Sequence, residues 1–268
     1  MARKASHVID DLNARIDDLT ERFRDELAAM IEGAKARAIG RLQRSLTVND
    51  GRVGNSRQNK RTLRNLAKIL REELARSGVA ELIEEFGSTF AGQLPMFEEV
   101  LDLIGAPKIE WSAVDLDAFA ADRLTFESGI ETILDSASLA AQRRVMFSVG
   151  GMGFGDLVDA ISVGMRAPVA EAVTLAETGQ AAFWRTITDR GFQQIEKNLP
   201  KGSLRYRFEG PRDKLTRPFC KRLLARTKSK GLTRAQIDAL DNGQLPNVFL
   251  TAGGYRCRHQ WVAEISTR

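Results

Sequence analysis

Apolar side chains recur along the first segment at Val8, Leu12, Ile16, Leu19, Phe23, Leu27, Met30, Ala34, Ala38 and Leu42. Steps of three and four residues put them on one stripe of a long helix, predicted from Ala5 to Leu46. Asp17, Asp18 and Glu21 share the polar side with Arg15, Arg22 and Arg24, the ordinary look of a solvated face. The stripe suits either a coiled-coil seam or packing on the helices that follow. Asn-Asp-Gly and Gly-Asn-Ser within Thr47–Ser56 then signal turns. A second helix is predicted from Arg57 to Arg76, with Leu63, Leu66, Ile69, Leu70 and Leu74 apolar. Further helices are predicted over Val79–Gln93 and Met96–Ile104, divided by Pro95. Trp111–Val149 contains another, capped by Ser112 or Asp115. Ala167–Leu199 is the last, with Pro168 in its first turn. The run Gly150-Gly151-Met152-Gly153-Phe154-Gly155 lacks the Gly-Lys-Ser/Thr of a phosphate loop and follows no strand pattern. A hinge between helices is expected there.

After Pro200-Lys201-Gly202 the period changes from helical to alternating. Leu204, Tyr206 and Phe208 alternate with Arg205 and Arg207, which predicts a half-buried strand over Ser203–Glu209. Thr216 is expected to cap a short helix opening at Pro218. Thr233 is expected to cap another that reaches about Leu240. Val248–Thr251 and Val262–Ile265 read as strands. The expected fold is mainly α, with long N-terminal amphipathic helices followed by a small α+β C-terminal domain. Leu204, Tyr206, Phe208, Val248, Leu250, Val262 and Ile265 are expected to face its helices. No run of about 18 uncharged apolar residues occurs, so no membrane span is expected. The first residues lack the apolar core of a signal peptide.

The net charge of +5 conceals three blocks. Residues 1–76 carry 17 basic and 11 acidic residues, residues 77–200 carry 8 and 19, and residues 201–268 carry 15 and 5. The blocks are thus a basic helical arm of +6, an acidic helical domain of −11 and a small basic α+β domain of +10. Lys35–Arg76 alone has 12 basic and 3 acidic residues, which suits a phosphate backbone, an acidic protein surface or simply a solvated face. Arg205, Arg207, Arg256 and Arg258 are expected to line one exposed strip for nucleic acid or an acidic partner. Glu84-Glu85 and Glu98-Glu99 are adjacent pairs pointing about 100° apart on a helix, so neither forms a carboxylate dyad. Two cysteines cannot form a disulfide framework and suit a reducing compartment.

The string YRFEG, then Asp213, then TRPFC, a short helix pair and GGYRCRHQW resembles the C-terminal domain of phage head-morphogenesis proteins, the Mu F-like minor capsid family. Asp213, Cys220, Cys257, Arg258 and His259 stand at points comparable to the family's motifs. Ala170–Phe192 is similar to the helix that precedes that domain. Here Gly-Gly-Tyr leads into the closing cysteine and the histidine follows it, where the family places proline and histidine ahead. The resemblance implies a structural virion protein, inside the head or at the portal vertex, and in the host cytoplasm during assembly. It implies contact with portal or major capsid protein and packaged DNA, action in head assembly or DNA delivery, and no enzymatic activity. Self-association through the N-terminal helices is compatible with it. The alternative is a nucleic-acid-binding or DNA-processing factor with a Cys/His metal site.

Cys220, Cys257 and His259 admit three readings. They pin a small core as buried side chains, or bind zinc with Asp213 as fourth ligand, or close a Cys220–Cys257 disulfide. Cys257 and His259 are two apart, so on an extended chain they share a face. The spacing has neither CxxC nor HxxxH, so a structural pin without a cofactor is the plainest expectation, with zinc as the alternative.

Overall fold

A computed structural model describes residues 2–147, 152–200 and 202–265. The fold is mainly α. In chain order the elements are α1 (Ala2–Ser45), β1 (Val48–Asn49), β2 (Arg52–Val53), α2 (Arg57–Arg64), α3 (Leu66–Ala75), α4 (Val79–Ser88), a 3₁₀ turn (Thr89–Gln93) and α5 (Leu94–Ile104). There follow α6 (Ala113–Phe147), α7 (Phe154–Gly164), α8 (Ala167–Glu196), β3 (Leu204–Glu209), α9 (Pro218–Arg226), α10 (Arg234–Asp238), α11 (Val248–Thr251) and β4 (Gln260–Ile265). Among the described residues no helix is long and apolar enough to cross a membrane.

The chain divides into two compact units, each discontinuous in sequence. One comprises Met1–Thr20, Ser88–Thr125 and Ala176–Arg268, and the other Glu21–Gly87 and Phe126–Leu175. The three charge blocks cut across this division. Val8, Leu12, Ile16, Phe23, Leu27, Ala34, Ala38 and Leu42 of the α1 stripe are buried within this single chain. That resolves the stripe's two readings: it packs on later segments and is not left open as a coiled-coil seam. Ile31 is buried where the pattern favoured Met30.

In the second unit Phe23, Phe86 and Phe126 form the aromatic centre, with ring centroids 4.6–6.3 Å apart. Gly164 of α7 meets α6 at Ala141, where a Cβ would lie 2.7 Å from the Ala141 Cα. Only a glycine permits that approach. The segment 47–56 folds as a β1–β2 hairpin around Asp50-Gly51. Buried Asn59 ties it to α2, accepting from Thr47 N–H at 3.0 Å and donating to the carbonyls of Thr47 and Gly54. The expected hinge is partly pinned: Val53 N–H donates to Met152 O and Phe154 N–H to Gly51 O. Phe154 and Gly155 already belong to α7, while Gly150 and Gly151 lie outside the described residues, as does Lys201 of the expected linker.

In the first unit a continuous row of aromatic contacts runs from Phe90 through Phe183, Phe119, Trp111, Phe97, Phe192, Tyr206, Phe249 and Trp261 to Phe208. β3 and β4 pair antiparallel, Phe208 opposite Trp261 and Glu209 opposite Gln260. The inward Leu204, Tyr206 and Phe208 are buried, as the alternation predicts. The third expected strand is a helical turn instead. Asn247 caps α11 by accepting from Leu250 N–H, and the chain reverses at Ala252, so Val248–Thr251 never extends into the sheet. Val248 is buried all the same, whereas Leu250 and Ile265 are only partly covered.

Ser112 and Asp115 both serve the start of α6. Ser112 Oγ accepts from Asp115 N–H at 3.2 Å, and the Asp115 carboxylate accepts from Ser112 N–H at 3.1 Å. The same buried carboxylate accepts from Arg190 at 2.9 Å and Gln194 at 3.1 Å, both on α8. Burial works to raise its pKa, but the donors from Ser112 and Arg190 outweigh it and hold the group below the usual carboxylate value. A depressed pKa means stability that is complete above the unfolded value of about 3.9 and disappears as pH falls through the folded one. Asp115→Asn should therefore cost about 1.5–3 kcal/mol at pH 7. The gap to the parent should narrow below about pH 4, as read from urea midpoints across that range.

Candidate functional site

The site lies wholly in the first unit, where the loop before β4 meets the start of α9. Pro218 opens α9 and fixes its first turn, which places Cys220 on the buried side. The helix is capped by the backbone of Arg217, not by Thr216. Thr216 instead closes the preceding loop: its hydroxyl accepts from Asp213 N–H at 3.0 Å and donates to Pro211 O at 3.0 Å.

Cys220 Sγ lies 3.8 Å from Cys257 Sγ, and Cys257 Sγ lies 3.6 Å from His259 Nδ1. All three residues are buried, at 2%, 5% and 3% exposure. His259 Nε2 is 3.0 Å from the carbonyl of Pro211. A carbonyl only accepts, so Nε2 carries a proton, and a ring with one proton turns its Nδ1 lone pair toward Cys257. The imidazole is stacked on Phe208 with centroids 5.2 Å apart, which fixes its plane. Gly253 lies against the sulfurs: a Cβ there would overlap Cys220 Sγ and stand 3.0 Å from Cys257 Sγ.

Arg185 of α8 holds this loop from beneath. Its guanidinium is buried and donates to Leu250 O at 3.2 Å, Cys257 O at 2.5 Å and His259 O at 3.2 Å. Arg217 grips the same loop from above, donating to Gly253 O and Tyr255 O at 2.6 Å each. Between them the loop carries two non-glycine residues at positive φ, Ala252 at 49° and Arg256 at 53°. The hydrogen bond from the Cys220 thiol draws the pKa of Cys257 well down against burial, and the Arg185 cation favours the same direction. The same bond and burial push Cys220 up. The two sulfurs thus titrate as one coupled pair next to a buried cation.

The sulfurs and imidazole form part of the wall of a cavity of about 440 Å³. Asp17, Glu177, Arg217, Arg256 and Arg258 supply its charged rim. Arg256 is ion-paired with Glu177. Asp213 accepts from Arg258 at 2.5 Å and from Leu215 N–H at 2.9 Å. Asp213 therefore belongs to the loop and does not join the Cys220, Cys257 and His259 donor atoms, which lie within 4.8 Å of one another.

The four arginines expected to form one strip fall into two pairs with different roles. Arg256 and Arg258 border the cavity, while Arg205 and Arg207 stand on the outward side of β3. Arg205 donates to Gly231 O, and Arg207 pairs with Glu209 at 3.2 Å and Glu264 at 3.0 Å. Arg185 and Gly253 are the site residues that the sequence reading missed. The signal for Arg185 was present: it is a lone cation beside Ala181, Thr188 and Phe192, the buried stripe of its own helix. No family model, curated protein or solved structure matches the chain.

Proposed function

We propose that the chain is a minor structural protein of a phage head, inside the head or at the portal vertex, contacting portal or capsid protein and packaged DNA. The observation that carries this is a convergence in space. The positions on which the family resemblance rests are Asp213, Cys220, Cys257, Arg258 and His259. They come together through the 2.5 Å Asp213–Arg258 bond and the 3.8 Å and 3.6 Å contacts among Cys220, Cys257 and His259. Cys257, Arg258 and His259 are consecutive, so the convergence consists of Asp213 and Cys220 meeting them from 37 or more residues away. The paired arginines of β3 and of the cavity rim suit a protein partner better than DNA, since each already has an acceptor. DNA contact is better assigned to α2, where Arg57, Lys60, Arg61 and Arg64 stand exposed on one short helix. Such a patch gains affinity by releasing phosphate counterions.

Purified particles examined by mass spectrometry should contain this chain in a few copies each. Deleting its gene should abolish particle assembly or reduce DNA delivery. Particles that lack the chain while remaining fully infective would overturn the virion role and favour a DNA-processing factor.

A further inference from the structure

We propose that Cys220, Cys257 and His259 bind one zinc ion, through the two sulfurs and His259 Nδ1, with water in a fourth position that faces the charged cavity. Zinc bonds of about 2.3 Å to sulfur and about 2.05 Å to nitrogen in a tetrahedron give edges of about 3.8 Å between sulfurs and about 3.6 Å from sulfur to nitrogen. Two observed separations are 3.8 Å and 3.6 Å, and the third is under 4.8 Å, against about 3.6 Å in the tetrahedron. Two thiols packed in a core could stand as far apart, but they would not require the rest of the arrangement. With one proton on its ring, held on Nε2 by Pro211 O, His259 presents a lone pair to the sulfurs. That is the usual outer support of a zinc-bound histidine. Gly253 keeps clear the volume beside both sulfurs that a methyl group would invade.

With a divalent ion bound, the buried Arg185 cation is left as the net positive charge beside the cluster. Both thiols give up their protons on binding, and two thiolates neutralise Zn²⁺. Arg185 binds the carbonyls of Cys257 and His259, so it fixes the backbone of two ligands without competing for the sulfurs. Among the described residues no fourth His, Cys, Asp or Glu joins the cluster. Three protein ligands with one open position are the pattern of a zinc that exchanges its fourth ligand. A disulfide would need the sulfurs to approach from 3.8 Å to about 2.05 Å.

The test uses the full chain, purified under reductant, stripped with a chelator and reloaded. Zinc should bind at close to one equivalent. Cobalt should give intense near-ultraviolet thiolate charge-transfer absorption with tetrahedral visible bands. Cys220→Ser, Cys257→Ser and His259→Gln should each weaken binding at least 100-fold. Gly253→Ala, which keeps every donor but displaces the sulfurs, should weaken it at least tenfold. Asp213→Asn should retain the full equivalent. The parent protein folds without any substitution, so its own cobalt spectrum decides the matter if the variants do not fold. Less than about a tenth of an equivalent of zinc with no charge-transfer band would overturn the proposal. So would an unchanged cobalt spectrum in either serine variant.

Discussion

Replacing Arg185 with leucine should lower the unfolding free energy by about 3–5 kcal/mol, and the melting temperature by roughly 10 °C. The guanidinium donates to three backbone carbonyls in one loop, those of Leu250, Cys257 and His259. Leucine fills much of the volume but leaves three acceptors in an interior where water cannot replace the donor. An unsatisfied buried acceptor costs about 1–3 kcal/mol, so three exceed what a single hydrophobic side chain restores. The cation also sits beside the sulfur pair, and burial draws its own pKa down while the cysteines, Cys257 first, oppose that. Arg185→Lys should recover only part of the loss. An ammonium keeps the charge but cannot span the same three acceptors in a planar fork. Thermal melts of the two variants against the parent separate these contributions. A leucine variant that melts within about 2 °C of the parent would show that the loop is held by other means, such as Arg217.

How far each element could be read from the sequence follows from how local its cause is. α1 was legible because its burial repeats every three or four residues over most of the 44-residue helix, and no neighbour alters that period. β3 was legible because Leu204, Tyr206 and Phe208 alternate with arginines. Val248–Thr251 misled because four residues with a β-branched start look like a strand, whereas its state is set by Asn247 at φ 56° and by the turn at Ala252. α7 was overlooked because its first turn is part of a glycine-rich run, and the pairing of Met152–Phe154 with the hairpin depends on residues a hundred positions earlier. The Cys/His cluster was legible as three residues of two types in two short motifs. Its supports were not. Arg185 lies 72 residues from Cys257, and the need for glycine at position 253 exists only once two sulfurs lie against it. Asp213 shows the converse. It has the chemistry of a ligand and the spacing to serve, but a nearer arginine, Arg258, engages it first.

Phe97→Ala should cost about 3–5 kcal/mol, as much as the loss of Arg185, but should act through packing alone. Phe97 on α5 is fully buried and meets Trp111 and Trp184 at 6.0 Å and Phe192 at 5.2 Å between ring centroids. Gly191 of α8 is small because the ring lies against it, so a Cβ at that position would overlap the ring of Phe97. Removing the ring leaves a cavity bounded by two tryptophans and a phenylalanine, too rigid to collapse, and its cost adds to the lost transfer energy. Phe192 touches Tyr206, whose ring leads through Phe249 and Trp261 to Phe208, on which His259 is stacked. The row makes a graded expectation for the site. If the aromatics transmit the loss of packing, the alanine variant should weaken cobalt binding by the cluster below its melting temperature, and Phe97→Leu should do so less. If each contact relaxes locally, both variants should melt early but bind cobalt as the parent does until they unfold. Melting curves followed in parallel by circular dichroism and by the cobalt charge-transfer band distinguish the two, because only transmitted loosening separates the transitions.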